Sequence, residues 1–287
     1  DKSPVTYAPG DKMVFKVQLL EDGKPVAGKK LKWTRRGDDG KTANGVAVCS
    51  EKEPAIIESS IDSPGFVHVA ISVLDENGKP VKDAKNQDLK FEGGAGADIA
   101  KLASAPEPKD FDEFWKKQKE KLAAVPVKAT LAEVPSENPR FVVYDVKIDC
   151  AGGKPVSGYF TKPKDAKEKS LSSKVSFMGY GVSSPKPEYR DGGMTLSINA
   201  HGIENGKDAD YYAKLKDGEL KGYAFKNDEN ANPETSYFNG MMLRVMRALE
   251  FVRIQPEWNG KELISAGGSQ GGLQAISGAA LDPAVTM

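Results

Sequence analysis

Near its carboxyl end the chain reads Leu263-Ile264-Ser265-Ala266-Gly267-Gly268-Ser269-Gln270-Gly271-Gly272-Leu273. The apolar residues before the glycines predict a buried strand over 262–266, and those after them predict a helix over 271–281. A G-x-S-x-G pattern between a strand and a helix is typical of a sharp turn that lifts a serine hydroxyl out of a sheet. Glycine is needed at 267 and 271 because strand and helix approach too closely there for a side chain. The candidate catalytic nucleophile is therefore Ser269, with Gly267 and Gly271 as elbow glycines.

A second glycine-containing segment, Phe177-Met178-Gly179-Tyr180-Gly181, follows another apolar stretch. A reactive serine of this kind needs two backbone N–H groups that stabilise a negatively charged oxygen. One belongs to the residue after the nucleophile, and the other comes from a loop after an earlier strand. The sequence therefore predicts that the amides of Gln270 and Tyr180 form this oxyanion hole. The alternative is an ordinary glycine-rich turn with a packed tyrosine, and a bare G-x-S-x-G also occurs in ordinary turns.

The residues around these two segments alternate between strand and helix patterns. Strands are predicted at 141–148, 156–161, 175–178, 195–199 and 262–266, and helices at 237–253 and 271–281. An earlier helix begins at Asp110, which we expect to form a capping box with Glu113, and ends before Pro126. Strands joined by helical crossovers favour a doubly wound, mainly parallel sheet covered on both faces. Together with the serine turn, this pattern indicates the α/β-hydrolase fold.

Residues 1–95 show a different pattern, in which apolar and polar residues alternate along short runs and predict half-buried strands. Asp22-Gly23 and Asn77-Gly78 predict tight hairpin turns. This all-β pattern favours an immunoglobulin-like β-sandwich over 1–95. The glycines at 93–97 mark the predicted boundary. We assign 96–126 to a linker and docking helix, and 127–287 to the N-terminal part of an α/β-hydrolase domain.

Composition argues against several classes of function. Lys plus Arg and Asp plus Glu each total 41 and are dispersed, which argues against a nucleic-acid partner. No apolar stretch approaches the ~20 residues of a membrane-spanning helix. We expect no metal and no cofactor, because Cys49 and Cys150 form no metal or redox motif and 228–232 lacks the glycine and the final acidic residue of a calcium loop. A disulfide between the two cysteines is left open.

Several of these segments resemble the acetyl xylan esterase / cephalosporin-C deacetylase family. The elbow 267–272 followed by 279–283 is similar to that family's nucleophile turn, Gly179-Tyr180-Gly181 to its oxyanion loop, 110–115 to its opening helix, and 241–251 to the helix before its elbow strand. The resemblance covers about residues 105–287. It implies a serine esterase that removes acetyl groups from xylan-type carbohydrate or similar small esters through an acetyl-enzyme. It also implies that Ser269 is the nucleophile and that the amides of Tyr180 and Gln270 stabilise the oxyanion.

The chain departs from the family pattern in two places. Asn199-Ala200-His201-Gly202 stands where the family usually has Arg-Gly-Gln. In this fold an acid and then a His follow the serine, whereas residues 270–287 contain no His. We expect His201 to be a loop residue and His68 a surface residue, neither acting as the base. We therefore expect a fragment that is truncated at its C-terminus and has weak catalytic activity on its own. We expect it to associate with the missing C-terminal segment or to form a homo-oligomer.

Two further expectations concern location and alternatives. The start Asp1-Lys2-Ser3-Pro4 fits a mature chain from which a signal peptide was removed, so we expect a secreted or periplasmic protein. The elbow does not report the acyl group, which leaves a serine peptidase or a general carboxylesterase on the same fold open. A non-catalytic carbohydrate-binding or scaffold protein also stays open.

Overall fold

The computed structural model describes residues 3–287, which form two compact units that meet in sequence between Glu107 and Pro108. The helix that we assign to a linker and docking segment belongs to the second unit. The glycines at 93–97, which mark the predicted boundary, lie in a strand that pairs with its neighbour over its whole length. An exposed stretch without helix or strand follows at 102–108.

The first unit is built from antiparallel strands. Its strands are β1 Met13–Val17, β2 Leu20–Glu21, β3 Lys24–Pro25, β4 Lys30–Gly37, β5 Thr42–Val48, β6 Ala55–Ser59, β7 Gly65–Leu74 and β8 Lys90–Ala97. The order β5-β4-β7-β8 forms one sheet, β1 pairs with β6, and β2 with β3 closes the hairpin predicted at Asp22-Gly23. Alternate residues of β7 are buried, as the period-two pattern predicts. Buried side chains of β1, β4, β6 and β7 share one core, whereas the immunoglobulin-like assignment stays a prediction.

The second unit contains a six-stranded sheet and five helices. The elements are α1 Phe111–Ala123, β9 Ala129–Val134, β10 Phe141–Ile148, β11 Val156–Pro163, β12 Leu171–Phe177, β13 Gly193–Ile198, α2 Ala209–Asp217, α3 Asn227–Asn230, α4 Tyr237–Arg253, β14 Trp258–Gly267 and α5 Gln270–Leu281. The strand order is β14-β12-β13-β11-β10-β9. All the strands and helices predicted for this region are present, with α4 and β10 at the predicted bounds.

The prediction of a mainly parallel sheet is wrong. Only β12 pairs in parallel, with β13 and β14, whereas β9, β10, β11 and β13 pair antiparallel with one another. The connections from β9 to β10 and from β10 to β11 are too short for the helical crossover that parallel neighbours need. The sheet is therefore mixed, and its parallel part is the part that leads to Ser269.

Helix α4 packs against the sheet and forms much of the core. Its predicted apolar side, Met241, Val245, Leu249 and Val252, is completely buried against strands of the sheet. Helix α5 contacts β14, β12 and α4. The core therefore fixes both the strand before Ser269 and the helix after it.

Helix α1 docks on α4, but its predicted capping box does not form. Asp110 makes no cap hydrogen bond, because its backbone (φ −100°, ψ 10°) is not extended as an N-cap residue is, and Glu113 pairs with Lys117 at 2.9 Å instead. At the other end of α1, Arg247 donates to the carbonyl oxygens of Leu122 and Val125, both at 2.7 Å. Across residues 3–287, no helix combines the length and the apolar character that crossing a bilayer requires.

Candidate active site

The sharp turn predicted at Ser269 is present. Strand β14 ends at Gly267 and helix α5 begins at Gln270, so that Ser269 occupies the corner with φ 54° and ψ −123°. The serine side chain is exposed. Ser269 directly precedes the first turn of α5, where the free N–H groups of the helix give a partial positive charge.

The two predicted elbow glycines lie where backbones touch. A Cβ on Gly267 would lie 2.8 Å from the Cα of Gly271 and overlap its carbonyl group. A Cβ on Gly271 would lie 3.0 Å from the carbonyl carbon of Phe177 and overlap its oxygen. A Cβ on Gly268, between them, would meet no atom within 4 Å. The close approach of β14, α5 and the end of β12 therefore depends on Gly267 and Gly271 and not on Gly268.

The loop after β12 runs alongside the serine. A Cβ on Gly179 would lie 3.8 Å from the Cβ of Ser269 and 3.4 Å from the carbonyl oxygen of Gly268. Within residues 3–287, neither the amide of Tyr180 nor that of Gln270 donates to a protein acceptor, and the hydroxyl of Ser269 has no hydrogen-bond partner. The residues predicted for the nucleophile and the oxyanion hole thus lie together, with their polar groups available.

Aromatic side chains surround the loop that carries Tyr180. The rings of Tyr180 and Tyr223 are stacked, with centroids 4.5 Å apart and an interplanar angle of 15°, and the ring centroid of Phe225 lies 5.8 Å from that of Tyr180. The rings of His201 and Tyr223 meet edge to face with their centroids 4.5 Å apart, and the ring centroid of Tyr237 lies 4.8 Å from that of Tyr223. A cavity of about 530 Å³ is lined in part by His201, Tyr223 and Tyr237, whereas Ser269 is not among its lining residues.

Neither histidine contacts the serine. The Nε2 of His201 lies 2.9 Å from the carbonyl oxygen of Gly181, and its Nδ1 lies 2.7 Å from the hydroxyl of Tyr237. Burial lowers the pKa of His201 below its ordinary value. His68 is exposed on β7, 3.6 Å from a carboxylate oxygen of Glu92. With both ring nitrogens of His201 engaged elsewhere, no histidine of the second unit is placed as a base for Ser269.

The segment that departs from the family pattern forms a tight turn after β13. The Oδ1 of Asn199 accepts hydrogen bonds from the amides of His201, Gly202 and Ile203, at 3.1, 2.8 and 3.2 Å. The guanidinium of Arg244, buried on α4, donates to the carbonyl oxygen of Ala200 at 2.6 and 3.0 Å. This turn thus presents a buried histidine towards the loop at 179–181.

Metal-binding groups do not cluster in the described chain. Across residues 3–287 no three His, Cys, Asp or Glu side chains come together as ligands, and Cys49 and Cys150 are both free thiols. The acidic stretch at 228–232 starts in the short helix α3, where Glu229 pairs with Lys226 at 3.0 Å. The carboxylate of Glu229 therefore takes part in a local ion pair.

Several residues around the site were not found from sequence. Tyr223, Arg244 and Gln274 contact the loop or the turn after β13, but no local motif marks them. Tyr237 was recognised only as the start of a helix. The contacts that these side chains make with the loop or with the turn after β13 span between 36 and 96 residues of sequence. A local sequence pattern therefore carries no signal for them.

Comparisons with known proteins agree on one family. The acetyl xylan esterase (AXE1) family model matches residues 98–287. The acetyl esterase Axe7A of Xylanibacter ruminicola (strain ATCC 19189 / DSM 19721 / CIP 105475 / JCM 8958 / 23) is 25% identical over 256 residues, which cover 85% of this chain and 54% of the relative.

Two solved structures are similar to this chain. The acetyl xylan esterase from Paenibacillus sp. R4 has a TM-score of 0.52 and 25% identity, with 64% of this chain and 59% of that chain covered. Acetyl xylan esterase 1 from Thermoanaerobacterium sp. JW/SL YS485 has a TM-score of 0.51 and 22% identity, with 63% and 57% covered, and supports the fold alone. The chain spans little more than half the length of the relatives that it matches. Because the family model matches residues 98–287, well over half of the chain, the chain belongs to the acetyl xylan esterase family.

Proposed function

We propose that this protein is a serine esterase that removes acetyl groups from xylan-type carbohydrate or similar small esters. The observation that carries the proposal is the exposed hydroxyl of Ser269 at a strained corner beside two unpaired N–H groups, in a chain of the acetyl xylan esterase family. A hydroxyl in this position can attack an ester carbonyl from the surface. In this proposal the same two N–H groups stabilise the charge that the attack creates.

The proposed reaction has two steps. The Oγ of Ser269 attacks the acetyl carbonyl carbon, its proton passes to a general base, and the carbonyl oxygen becomes an oxyanion held by the amides of Tyr180 and Gln270. The bond to the sugar oxygen then breaks, and the sugar leaves as an alcohol with the proton. Water next attacks the acetyl-enzyme by the same route, which releases acetate and restores the serine.

Residues 1–287 supply the nucleophile of this mechanism but place no general base beside it. In this fold the acid and the histidine follow the serine in sequence, and we propose that both come from a segment outside residues 1–287. A protein limited to residues 1–287 should therefore turn over esters slowly, because a serine without its base loses most of its nucleophilicity.

A fluorophosphonate probe and two substrates test the proposal. In the full-length protein we expect labelling of Ser269, turnover of p-nitrophenyl acetate and release of acetate from acetylated xylan. Ser269→Ala should lose all three, whereas Ser277→Ala, inside the helix that follows Ser269, should keep them. Labelling that persists in Ser269→Ala would refute the assignment.

The remaining alternatives give different results in the same assays. A preference for long acyl chains would indicate a general carboxylesterase, and cleavage of peptides a serine peptidase. Binding of xylan without labelling or turnover would indicate a scaffold protein.

We further propose that the first unit is an immunoglobulin-like sandwich and that the protein is secreted or periplasmic. Two antiparallel sheets that share one core support the first proposal. A polymeric substrate, which does not cross a membrane, supports the second. Cell fractionation with an antibody against the protein tests the location, and recovery in the cytoplasm alone would contradict it.

A further inference from the structure

The proposed oxyanion donor Tyr180 lies in a loop with little rigidity of its own. Its neighbours Gly179 and Gly181 carry no side chain, and the loop has neither helix nor strand. A donor stabilises a transition state only if it already points at the developing charge, because reorganisation during the reaction costs free energy. Contacts from outside the loop must therefore supply the rigidity.

Three side chains hydrogen-bond to the two ends of this loop. The Nε2 of Gln274, on α5, donates to the carbonyl oxygen of Met178 at 3.0 Å. The amide of Gly181 donates to the hydroxyl oxygen of Tyr223 at 2.8 Å, and the Nε2 of His201 lies 2.9 Å from the carbonyl oxygen of the same glycine. We call Gln274, Tyr223 and His201 the loop clamp. It engages the loop on both sides of Tyr180 and leaves the amide of Tyr180 free.

The hydrogen bonds of His201 define its protonation state. A carbonyl oxygen only accepts, so the Nε2 that faces Gly181 must carry a proton. In the neutral ring Nδ1 is then an acceptor. The single hydroxyl proton of Tyr237 has two acceptors within reach, this Nδ1 at 2.7 Å and the carbonyl oxygen of Ala200 at 3.1 Å, and Nδ1 is the nearer. Burial favours this neutral form. The imidazole is therefore a donor fixed on the loop, with no lone pair left for Ser269.

Tyr223 connects the loop to the residue that supplies the other donor. Its hydroxyl oxygen accepts from the amide of Gly181, and its proton is directed at the Oε1 of Gln270 at 3.2 Å. Burial raises the pKa of Tyr223, so the phenol keeps this proton. One buried hydroxyl thus links the two halves of the proposed oxyanion hole.

We propose that the loop clamp positions the amide of Tyr180 for the reaction, with Tyr223 as the positioning residue that couples this donor to Gln270. The inference rests on the proposed function, since it assigns a role within the same site. It gives His201 a role other than that of a base: the residue holds the oxyanion loop.

The test compares two tyrosines in the full-length protein. Tyr223→Phe removes the bridging hydroxyl and keeps the stacked ring. Tyr212→Phe is the matched control, because the hydroxyl of Tyr212 also accepts from an amide, that of Lys207 at 3.2 Å, and donates to a carbonyl oxygen, that of Glu204 at 3.0 Å. Both variants lose the same kind of hydrogen bonds, but only one of them loses a contact with the loop.

We expect Tyr223→Phe to lower kcat for p-nitrophenyl acetate about tenfold or more and to change KM less than about twofold. Loss of a whole oxyanion donor costs roughly 100- to 1000-fold, and a donor that is only loosened costs part of that. Tyr212→Phe should change neither constant more than about twofold. Hydrogen exchange at the amide of Gly181 should become faster in Tyr223→Phe and not in Tyr212→Phe.

A second pair of variants covers the case in which Tyr223→Phe does not fold. His201→Gln keeps an N–H donor that can reach Gly181, whereas His201→Leu does not, so the glutamine variant should retain a kcat about tenfold above that of the leucine variant. If kcat is equal within both pairs while a fluorophosphonate still labels Ser269, the proposed role of the loop clamp is wrong and the proposed function stands. Absence of labelling in the wild-type protein would overturn the proposed function, and exchange at Gly181 would still report whether the clamp exists.

Discussion

The backbone of Ser269 adopts φ 54° and ψ −123°, a combination that glycine tolerates and a side-chain residue adopts only under strain. Five other residues with side chains have positive φ within residues 3–287, and of these only Asp98 also leads from a strand into a helix, which there is a single 3-10 turn. Strain of this kind costs roughly 1–3 kcal/mol and persists where the surrounding structure enforces it. At Ser269 the touching backbones of β14, α5 and β12 enforce it.

Relief of this strain should be measurable. We expect Ser269→Gly to have a free energy of unfolding about 1 kcal/mol or more above that of Ser269→Ala, because glycine adopts these angles freely. Ser277, inside α5, provides the control, and there alanine should be the more stable choice by about 1 kcal/mol. Urea denaturation of the four variants measures the differences, and Ser269→Ala at or above Ser269→Gly would contradict the argument.

The buried His201 should make stability depend on pH. Its pKa in the folded protein is below the ordinary value of 6.5, so the unfolded chain takes up the proton first as the pH falls. The contribution of the neutral ring is therefore present above about pH 6.5 and is lost as the pH falls through the lower folded-state pKa.

Urea denaturation at pH 7.5 and pH 5.5 checks this dependence. Wild-type protein should lose more stability between these values than His201→Gln, which has no ionisable group at this position. His68→Gln, on the exposed side of β7, should behave like the wild-type protein. An equal loss in His201→Gln and the wild-type protein would show that folding does not lower the pKa of this imidazole.

At the scale of elements, local patterns predicted much of the structure, whereas the pairing of strands that are distant in sequence was not predicted. Helix α4 and strand β10 have the predicted bounds, because their apolar periodicity lies within the segment itself. The turn at Ser269 was found for the same reason. Sheet direction depends on which strands become neighbours, and the mixed sheet was therefore missed. The loop clamp escaped prediction because its members come from separate elements.

The packing of α5 on β12 depends on Gly267 and Gly271. Alanine at either position would overlap backbone atoms that cannot rotate away, so each variant should lose about 3 kcal/mol of stability. Gly268→Ala is the control, since a Cβ there meets nothing within 4 Å, and it should stay within about 1 kcal/mol of the wild-type protein. Thermal or urea denaturation measures these differences in stability. Equal stability of the three variants would mean that β14, α5 and β12 can move apart to accept the added methyl group.

At the scale of the whole molecule, the chain consists of two units with separate cores. The core of the first unit is formed mainly by strand residues, whereas that of the second lies between its sheet and α4. Residues 102–110 between them are exposed and contain neither helix nor strand. Units of this kind generally fold as independent bodies.

Limited proteolysis should therefore cut between the units first. Trypsin is expected to cleave after Lys101 or Lys109, because both lysines are exposed and residues 102–110 contain neither helix nor strand. Mass spectrometry should show two fragments that resist further digestion, and Lys101→Gln combined with Lys109→Gln should abolish the early cut. Early cuts scattered through either unit would contradict the division.

The antiparallel half of the mixed sheet also has a consequence for synthesis on the ribosome. Strands β9, β10 and β11 are consecutive and pair through short connections, so they can associate while the rest of the second unit is still being translated. The parallel pair of β12 and β14 must wait, because the chain reaches β14 only after the long stretch that contains α4 has been made. We expect a nascent chain to hold a preformed meander to which the strand leading to Ser269 is added later.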